Sequence, residues 1–228
     1  MTEPQATVTV HSLWMGLSRA YLLQGAHGLV LVDAGPPRFH RAVLAKMAAL
    51  GCRDLRLIYI THAHVDHYGS AAALRRLTGA PIAVHPLDAP AMRHGETYLG
   101  RIRNQPLFSR HWLPRVERLL KVEPAPPDRT LQDGDRLDDY GLGATVIHLP
   151  GHTPGSTALL LDDGVALAGD LASAAGRAHA QRMYAVDWSQ LAASLAKLQG
   201  LQPARVYTGH GRRPIAGREF QQLTAAMP

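Results

Sequence analysis

The sequence predicts an α/β fold. Short apolar, β-branched runs recur along the chain, and in its first half segments with helical spacing alternate with them. A third observation is the stretch Leu57–Gly69, LIYITHAHVDHYG, in which one such run leads straight into a cluster of metal-capable side chains.

Taken in order, Val8–Val10 and Ala20–Leu23 read as short strands, and Leu29–Val32 returns after the turn Gly25–Gly28. That strand ends in Asp33-Ala34-Gly35. Arg38–Leu50 reads as a helix because Val43, Leu44, Met47 and Leu50 share a face, and Gly51 stops it. Leu57–Ile60 is the next strand, Ser70–Leu77 the next helix and Pro81–Val84 the strand after that. From about Leu87 to Arg129 the rhythm is lost: prolines at 90, 106, 114, 124, 126 and 127 break the segment and it shows no clear strand. Pro114 suits the first turn of a helix through Lys121, with Val116, Leu119 and Leu120 on one side. Strands return at Ala144–Ile147, Thr157–Leu161 and Val165–Ala168, with turns at Asp133–Asp135 and Asp162–Gly164. Trp188–Gln199 reads as a helix: Leu191, Leu195 and Leu198 align, Asp187 and Gln190 have capping-box spacing, and Gly200 ends it. Arg205–Thr208 is the last strand, and Arg218–Met227 reads as a short final helix.

At 228 residues with 46% apolar content, the chain fits one large globular domain, here read as 1–228 with an insert at about 87–129. A single cysteine, Cys52, excludes an internal disulfide and a cysteine-built zinc site. The N-terminus has neither a basic start nor an apolar core, so no signal peptide is read and a cytoplasmic location is expected. No apolar run approaches the ~18 residues of a membrane helix. Residues 91–122 carry seven basic side chains against two acids, so most of the formal +6 charge resides in the insert. The insert reads either as a solvated helical face or subunit contact, or as a helical, basic lid that draws in an anionic substrate or nucleic acid. Leu99, Ile102, Leu107, Phe108 and Trp112 among its arginines could form a homodimer contact.

Thirteen histidines are the unusual count, and several close strands. His62 and His64 are two apart, so in an extended loop they project to one side and can grip one ion. Asp66 and His67 follow after the chain turns and can grip a second. His152, Asp170 and His210 close three further strands, mostly beside glycines that permit tight turns. Such residue types at four separate strand ends point to one convergent metal site.

HAHVDH at His62–His67, GHTPGS at Gly151–Ser156, AGD at Ala168–Asp170 and TGHG at Thr208–Gly211 resemble the motifs of the metallo-β-lactamase-fold hydrolases, and Asp33-Ala34-Gly35 resembles an early Asp-x-Gly of that family. The resemblance spans about residues 8–215. It implies a four-layer αββα sandwich with metals at one edge between two mixed sheets. It also implies His62, His64 and His152 on one metal, Asp66, His67 and His210 on a second, and Asp170 between them. Two zinc ions suit so imidazole-rich a set, and manganese or iron accept it too. The implied chemistry is a hydroxide bridging the two metals, formed from water whose pKa is lowered from about 15.7, that attacks a carbonyl or phosphoryl centre, with Asp66 orienting it and shuttling its proton. Asp33 is expected to orient a ligand from behind. Tyr68, His179 and Tyr184 are candidates to line a substrate pocket.

Departures from known branches narrow the substrate. Ser173 stands where acyl-homoserine-lactone lactonases carry a tyrosine, and Arg212 where glyoxalase II has one. Only 18 residues follow His210, too few for the glutathione-holding domain of glyoxalase II. Asp170 and the absent signal peptide argue against a true β-lactamase. The expectation is a metal-dependent hydrolase of a small ester, thioester or lactone. Alternatives are an enzyme resembling the mononuclear iron persulfide dioxygenases, and a phosphodiesterase or nuclease; nucleic acid is the less expected partner, and a small molecule, anionic ones included, the more expected.

Overall fold

The computed structural model describes residues 8–102, 112, 115, 118, 119 and 121–225. Among them, a six-stranded sheet has the order β1 (Thr9–Trp14), β2 (Arg19–Gly25), β3 (Gly28–Val32), β4 (Leu55–Tyr59), β5 (Ile82–Val84), β7 (Arg129–Thr130). β1 to β3 are antiparallel neighbours, whereas β3, β4, β5 and β7 run parallel. The parallel crossovers hold the helices: α1 (His40–Ala49), the single turn α2 (Val65–Tyr68), α3 (Ala71–Thr78) and α4 (Ala89–His94). A five-stranded sheet has the order β15 (Ile215–Ala216), β14 (Arg205–Tyr207), β10 (Val165–Leu167), β9 (Thr157–Leu161), β8 (Ala144–His148). Its helices are α5 (Trp188–Gly200) and α6 (Gly217–Phe220).

Alternation along the strands sorts the side chains into three apolar layers. Leu29, Leu31 and Ile58 pack on Val43, Met47, Leu74 and Met92 of the first helix layer. Val30, Val32, Leu57 and Tyr59 turn the other way and meet Val146, Leu159, Leu161 and Leu167 of the second sheet. Ile147, Ala158, Ala166 and Val206 face outward against Leu195, Leu198 and Phe220. The order is therefore helix, sheet, sheet, helix: the expected αββα sandwich. Two buried hydroxyls stitch its middle, Tyr59 donating to Thr157 Oγ1 at 2.7 Å and Tyr21 to the Thr208 carbonyl at 2.7 Å.

Several boundaries differ from expectation. β1 runs on to Trp14, because an edge strand that is at least partly exposed at every position but Leu13 tolerates the polar His11 and Ser12, which point to opposite faces. The final helix is only Gly217–Phe220, and its one deeply buried side chain is Phe220. The insert expected at 87–129 does contain strands: β6 (Arg101–Ile102) pairs with β13 (Tyr184–Ala185), and β7 extends the first sheet. Its ends are woven into the first core through Ala89, Ala91, Met92 and Ala125. Most of the helix expected over Pro114–Lys121, and Leu107 and Phe108 of the expected dimer contact, lie outside the described residues.

Candidate metal centre

Six strands of the two sheets deliver a polar residue just past their C-terminal ends. Asp33 follows β3, His62 follows β4, Asp88 follows β5, His152 follows β8, Asp170 follows β10 and His210 follows β14. The turn after β4 adds His64, then α2 adds Asp66 and His67. All seven residues expected as ligands come together. Three groups have donor atoms within 4.8 Å of one another: His62, His64 and His152; His62, His67 and Asp170; and Asp66, His67 and His210.

Each of the five imidazoles is anchored through one nitrogen and points the other inward. His64 Nε2 donates to the Tyr98 carbonyl at 2.9 Å, His152 Nδ1 to the Tyr184 carbonyl at 3.2 Å, and His210 Nδ1 to the Leu17 carbonyl at 2.9 Å. His67 Nδ1 donates to Asp33 Oδ2 at 2.9 Å. Thr61 gives its hydroxyl proton to Asp33, so Thr61 Oγ1 accepts from His62 Nδ1 at 3.0 Å. A neutral ring anchored in this way has only a lone pair on its inner nitrogen.

Those inner nitrogens crowd. His64 Nδ1 lies 3.1 Å from His62 Nε2 and 3.1 Å from His152 Nε2. Burial holds all three rings neutral, pushing His152 down to about 3 and lowering His62 and His64 as well. Three lone pairs thus face one another with no proton to share. A divalent cation resolves that repulsion: four-coordinate zinc with Zn–N of ~2.0–2.1 Å spaces its nitrogens by roughly 3.3–3.4 Å.

The second half of the cluster is acidic. Asp170 Oδ2 sits 3.1 Å from His210 Nε2 and 3.5 Å from His152 Nε2, and its Oδ1 sits 3.5 Å from His67 Nε2, so the carboxylate lies between the two halves. Asp66 Oδ2 is 3.6 Å from His67 Nε2 and 3.5 Å from His210 Nε2. Burial disfavours charge on His67, but Asp66, Asp170 and Asp33 outweigh it and raise its pKa to about 10. Asp170 raises His210 to about 9, against burial. Burial likewise works against the Asp170 charge, but the imidazoles of His210 and His67 hold its carboxyl well below the usual range. Protons on these two rings stand where a second cation would compensate the carboxylates. His67 Nε2 and Asp170 Oδ1 are buried with no hydrogen-bond partner among the described residues, which fits atoms reserved for metal. A Cβ on Gly209 would press into Asp170 Oδ1 and His67, so this cradle requires glycine.

Three further placements matter. Asp33 accepts from the Thr61 amide at 2.8 Å as well as from His67, joining the supports of both halves. Tyr184 packs its ring 5.6 Å from that of His64 and 5.4 Å from that of His152. Tyr68 corrects an expectation: it is fully buried in the first core and its hydroxyl donates to the Glu96 carbonyl, because one helical step past His67 turns it away from the cluster. His179 corrects another. Its Nδ1 donates to the Arg177 carbonyl, and its backbone, in β12 (His179–Ala180), pairs with Ser173 of β11 (Ala172–Ser173); it is not among the residues whose donor atoms converge.

Sequence reasoning passed over Asp88. Its buried Oδ2 accepts from the Ala63 amide and Thr153 Oγ1, both at 2.7 Å, and its Oδ1 from the Gly155 amide at 2.7 Å. Burial pushes its pKa up while these three bonds pull it down. Ala63 sits between His62 and His64, and Thr153 beside His152, so one carboxylate clamps both loops of the first triad. A Cβ on Gly155 would come 2.6 Å from Asp88 Oδ1, which is why the clamp needs glycine there. The signal that could have found it was its position after β5, the same as that of the other polar strand-closers.

A family model described as the metallo-beta-lactamase superfamily matches residues 14–210, a span that contains all seven clustered residues. The chain belongs to the metallo-beta-lactamase superfamily. Within that superfamily it is similar to YflN of Bacillus subtilis (strain 168), a probable metallo-hydrolase, at 29% identity over 245 residues, covering 95% of this chain and 89% of the relative. It is 30% identical to the acyl-coenzyme A thioesterase MBLAC2 of Gallus gallus over 156 residues, 61% of this chain but only 51% of that protein. The solved structure of TTHA1623 in a di-iron-bound form matches with a TM-score of 0.69 at 30% identity, over 94% of this chain and 98% of that one. The superfamily and this donor set make the protein a metal-binding hydrolase-family enzyme. Among the described residues, no helix is long and apolar enough to cross a membrane.

Proposed function

We propose that this metallo-hydrolase holds two divalent cations and cleaves a small ester, thioester or lactone. The carrying observation is the set of five anchored imidazoles whose inner nitrogens converge with two carboxylates. On this reading His62, His64 and His152 hold one cation, Asp66, His67 and His210 the other, and Asp170 lies between them. Zinc suits the nitrogen-rich half, and iron or manganese suits the carboxylate-bearing half. When bound, the pair supplies Lewis acidity and a water acidified toward neutrality.

The chain's own groups do the rest. Asp66 is the cluster carboxylate most open to solvent, at 16% side-chain exposure against 2% for Asp170. It is therefore the group to take a proton at Oδ and return it to a leaving oxygen or sulfur. The Tyr184 ring covers His64 and His152 and keeps bulk water from that side. Asp33 and Thr61 fix which nitrogen of His67 and His62 carries the proton. The seven clustered residues include no serine or cysteine, so this reading assigns the attack to water rather than to a hydroxyl or thiol side chain. The thioesterase name of MBLAC2 supports the choice of acyl substrates.

The test is metal analysis beside a panel of thioesters, lactones, phosphodiesters and β-lactams. Two metals per chain and chelator-sensitive acyl hydrolysis are expected, and His64→Ala is expected to lose metal while its circular dichroism persists. Full metal occupancy in that variant would refute the ligand assignment, and a single iron per chain would favour oxygenase chemistry.

A further inference from the structure

A cavity of about 450 Å3 opens beside His210, within the range of small-molecule sites. Its lining combines the apolar Trp14, Leu17, Ala174 and Ala175 with Arg212 and Arg213, and includes no acid. Trp14 and Leu17 stand at the β1–β2 hairpin tip, 58% and 72% exposed, and serve no core. Yet this wall is held firmly. The Arg19 guanidinium lies 5.2 Å over the Trp14 ring, and its Nε donates to the Gly211 carbonyl at 2.7 Å. The Leu17 carbonyl takes the His210 proton, and the Ala174 amide donates to the His210 carbonyl at 2.8 Å. The hairpin tip, the candidate ligand His210 and the 174–176 wall are therefore one connected unit.

The two arginines are not equivalent. Arg213 is bound at both ends of its fork to Glu219, at 2.9 and 3.0 Å. Arg212 is exposed and makes no hydrogen bond or ion pair with the described residues. One uncompensated guanidinium thus borders an apolar cleft that abuts the candidate metal site.

We propose that this cleft selects substrates with an apolar body ending in an anionic group, the body lying on Trp14 and Leu17 and the carboxylate or phosphate pairing with Arg212. The inference rests on the hydrolase reading, and it makes the substrate class an acyl ester or thioester bearing that anion away from the cleaved bond. Water adds across the acyl C–O or C–S bond, its hydroxyl going to the acyl carbon and its proton to the leaving group, so the anion is recognised but unchanged.

The test compares kcat/KM of the metal-loaded protein for p-nitrophenyl pentanoate, the p-nitrophenyl monoester of pentanedioic acid, and a phosphate-terminated ester of equal length. An anionic ester is expected to be preferred, and whichever anion gives the higher value identifies the natural group. Arg212→Gln is expected to cut the anionic-to-neutral ratio about tenfold, the equivalent of one charged hydrogen bond, whereas Arg53→Gln, at an exposed site elsewhere, keeps the ratio. An unchanged ratio in Arg212→Gln overturns the proposal while leaving the hydrolase reading intact. A parallel calorimetric titration with 5-phenylpentanoate and 5-phenylpentanol separates the two ideas. If no ester turns over but Arg212→Gln still weakens the carboxylate about tenfold relative to the alcohol, the hydrolase reading has failed and the subsite stands. If that ratio does not move either, the subsite is wrong.

Discussion

Asp88 can be removed in two ways that leave different debts. Asp88→Ala strips the buried amides of Ala63 and Gly155 of their acceptor, while Thr153 can still turn to Ser156 Oγ, 2.8 Å away. Each orphaned amide costs about 1–3 kcal/mol. Against that, relief of the carboxylate desolvation that pushes the Asp88 pKa up returns part of the loss. A net destabilisation of roughly 2–4 kcal/mol remains. Asp88→Asn keeps the volume, but whichever way the amide is turned one NH2 confronts a backbone N–H. Its cost is therefore about 1–3 kcal/mol, from one broken clamp rather than two.

Stability alone would not separate a clamp for the metal loops from an ordinary buried acid. Metal affinity does. The Ala63 amide lies between His62 and His64 and the Thr153 hydroxyl beside His152, so loosening the clamp widens the spread of the three inner nitrogens. Loss of an outer support of this kind typically weakens metal binding by about 10–100-fold. The assays are urea unfolding of the chelated protein, which reads the amide cost, and competition with a chromogenic chelator, which reads the affinity. The order expected in both is wild type, then Asn, then Ala. Unfolding shifts with wild-type metal affinity would show that Asp88 supports only the fold, and no shift in either would refute the reasoning.

Two other perturbations follow from the geometry. Gly209→Ala places a methyl against Asp170 Oδ1 and His67, so metal content should fall while far-UV dichroism holds; full metal occupancy would show that the cradle has slack. His85 stacks on His148 with ring centroids 4.0 Å apart, and burial, then the His148 charge, lower its pKa to about 4. The unfolded chain binds that proton below about pH 6.5, the folded chain only near 4. Stability should therefore fall as pH drops through that window, and in His85→Gln the slope of unfolding free energy against pH should be shallower by up to about one proton. Equal slopes in the two proteins would rule the pair out as an acid-sensitive element.

Much of this architecture is legible from side chains that must be of one type. Val30 and Val32 against Leu29 and Leu31 alternate because a strand between two layers needs both faces apolar, and that pattern is visible without coordinates. Histidines and aspartates closing strands are equally visible, since few other roles gather them there. The illegible parts have different physics. The anchors of His64, His152 and His210 are backbone carbonyls, which every residue possesses, so nothing in Tyr98, Tyr184 or Leu17 marks them. Asp88 has no glycine beside it in the chain; the glycine it needs is Gly155, brought from another strand end. Tyr68 adjoins the cluster in sequence, but the helical turn carries it to the opposite side.

This division of labour has a consequence for where the site is vulnerable. A carbonyl anchor survives replacement of its own side chain, so three of the five imidazoles are insulated from point substitutions at their partners. The other two, His62 and His67, depend on Asp33, one through Thr61 and one directly. They belong to different halves of the cluster, and Asp33 adopts a left-handed backbone with φ of 59°. An aspartate accepts that conformation more readily than most residues with a Cβ. The Asp33 amide donates to the Tyr59 carbonyl at 2.8 Å, which ties the strained residue to the end of β4. The carboxylate thereby crosses from β3 to the turn that carries the histidines. Among the described residues, Asp33 is thus the side chain that sets the proton positions of one imidazole in each half, His62 and His67, and the fold sustains its backbone strain to keep that carboxylate there.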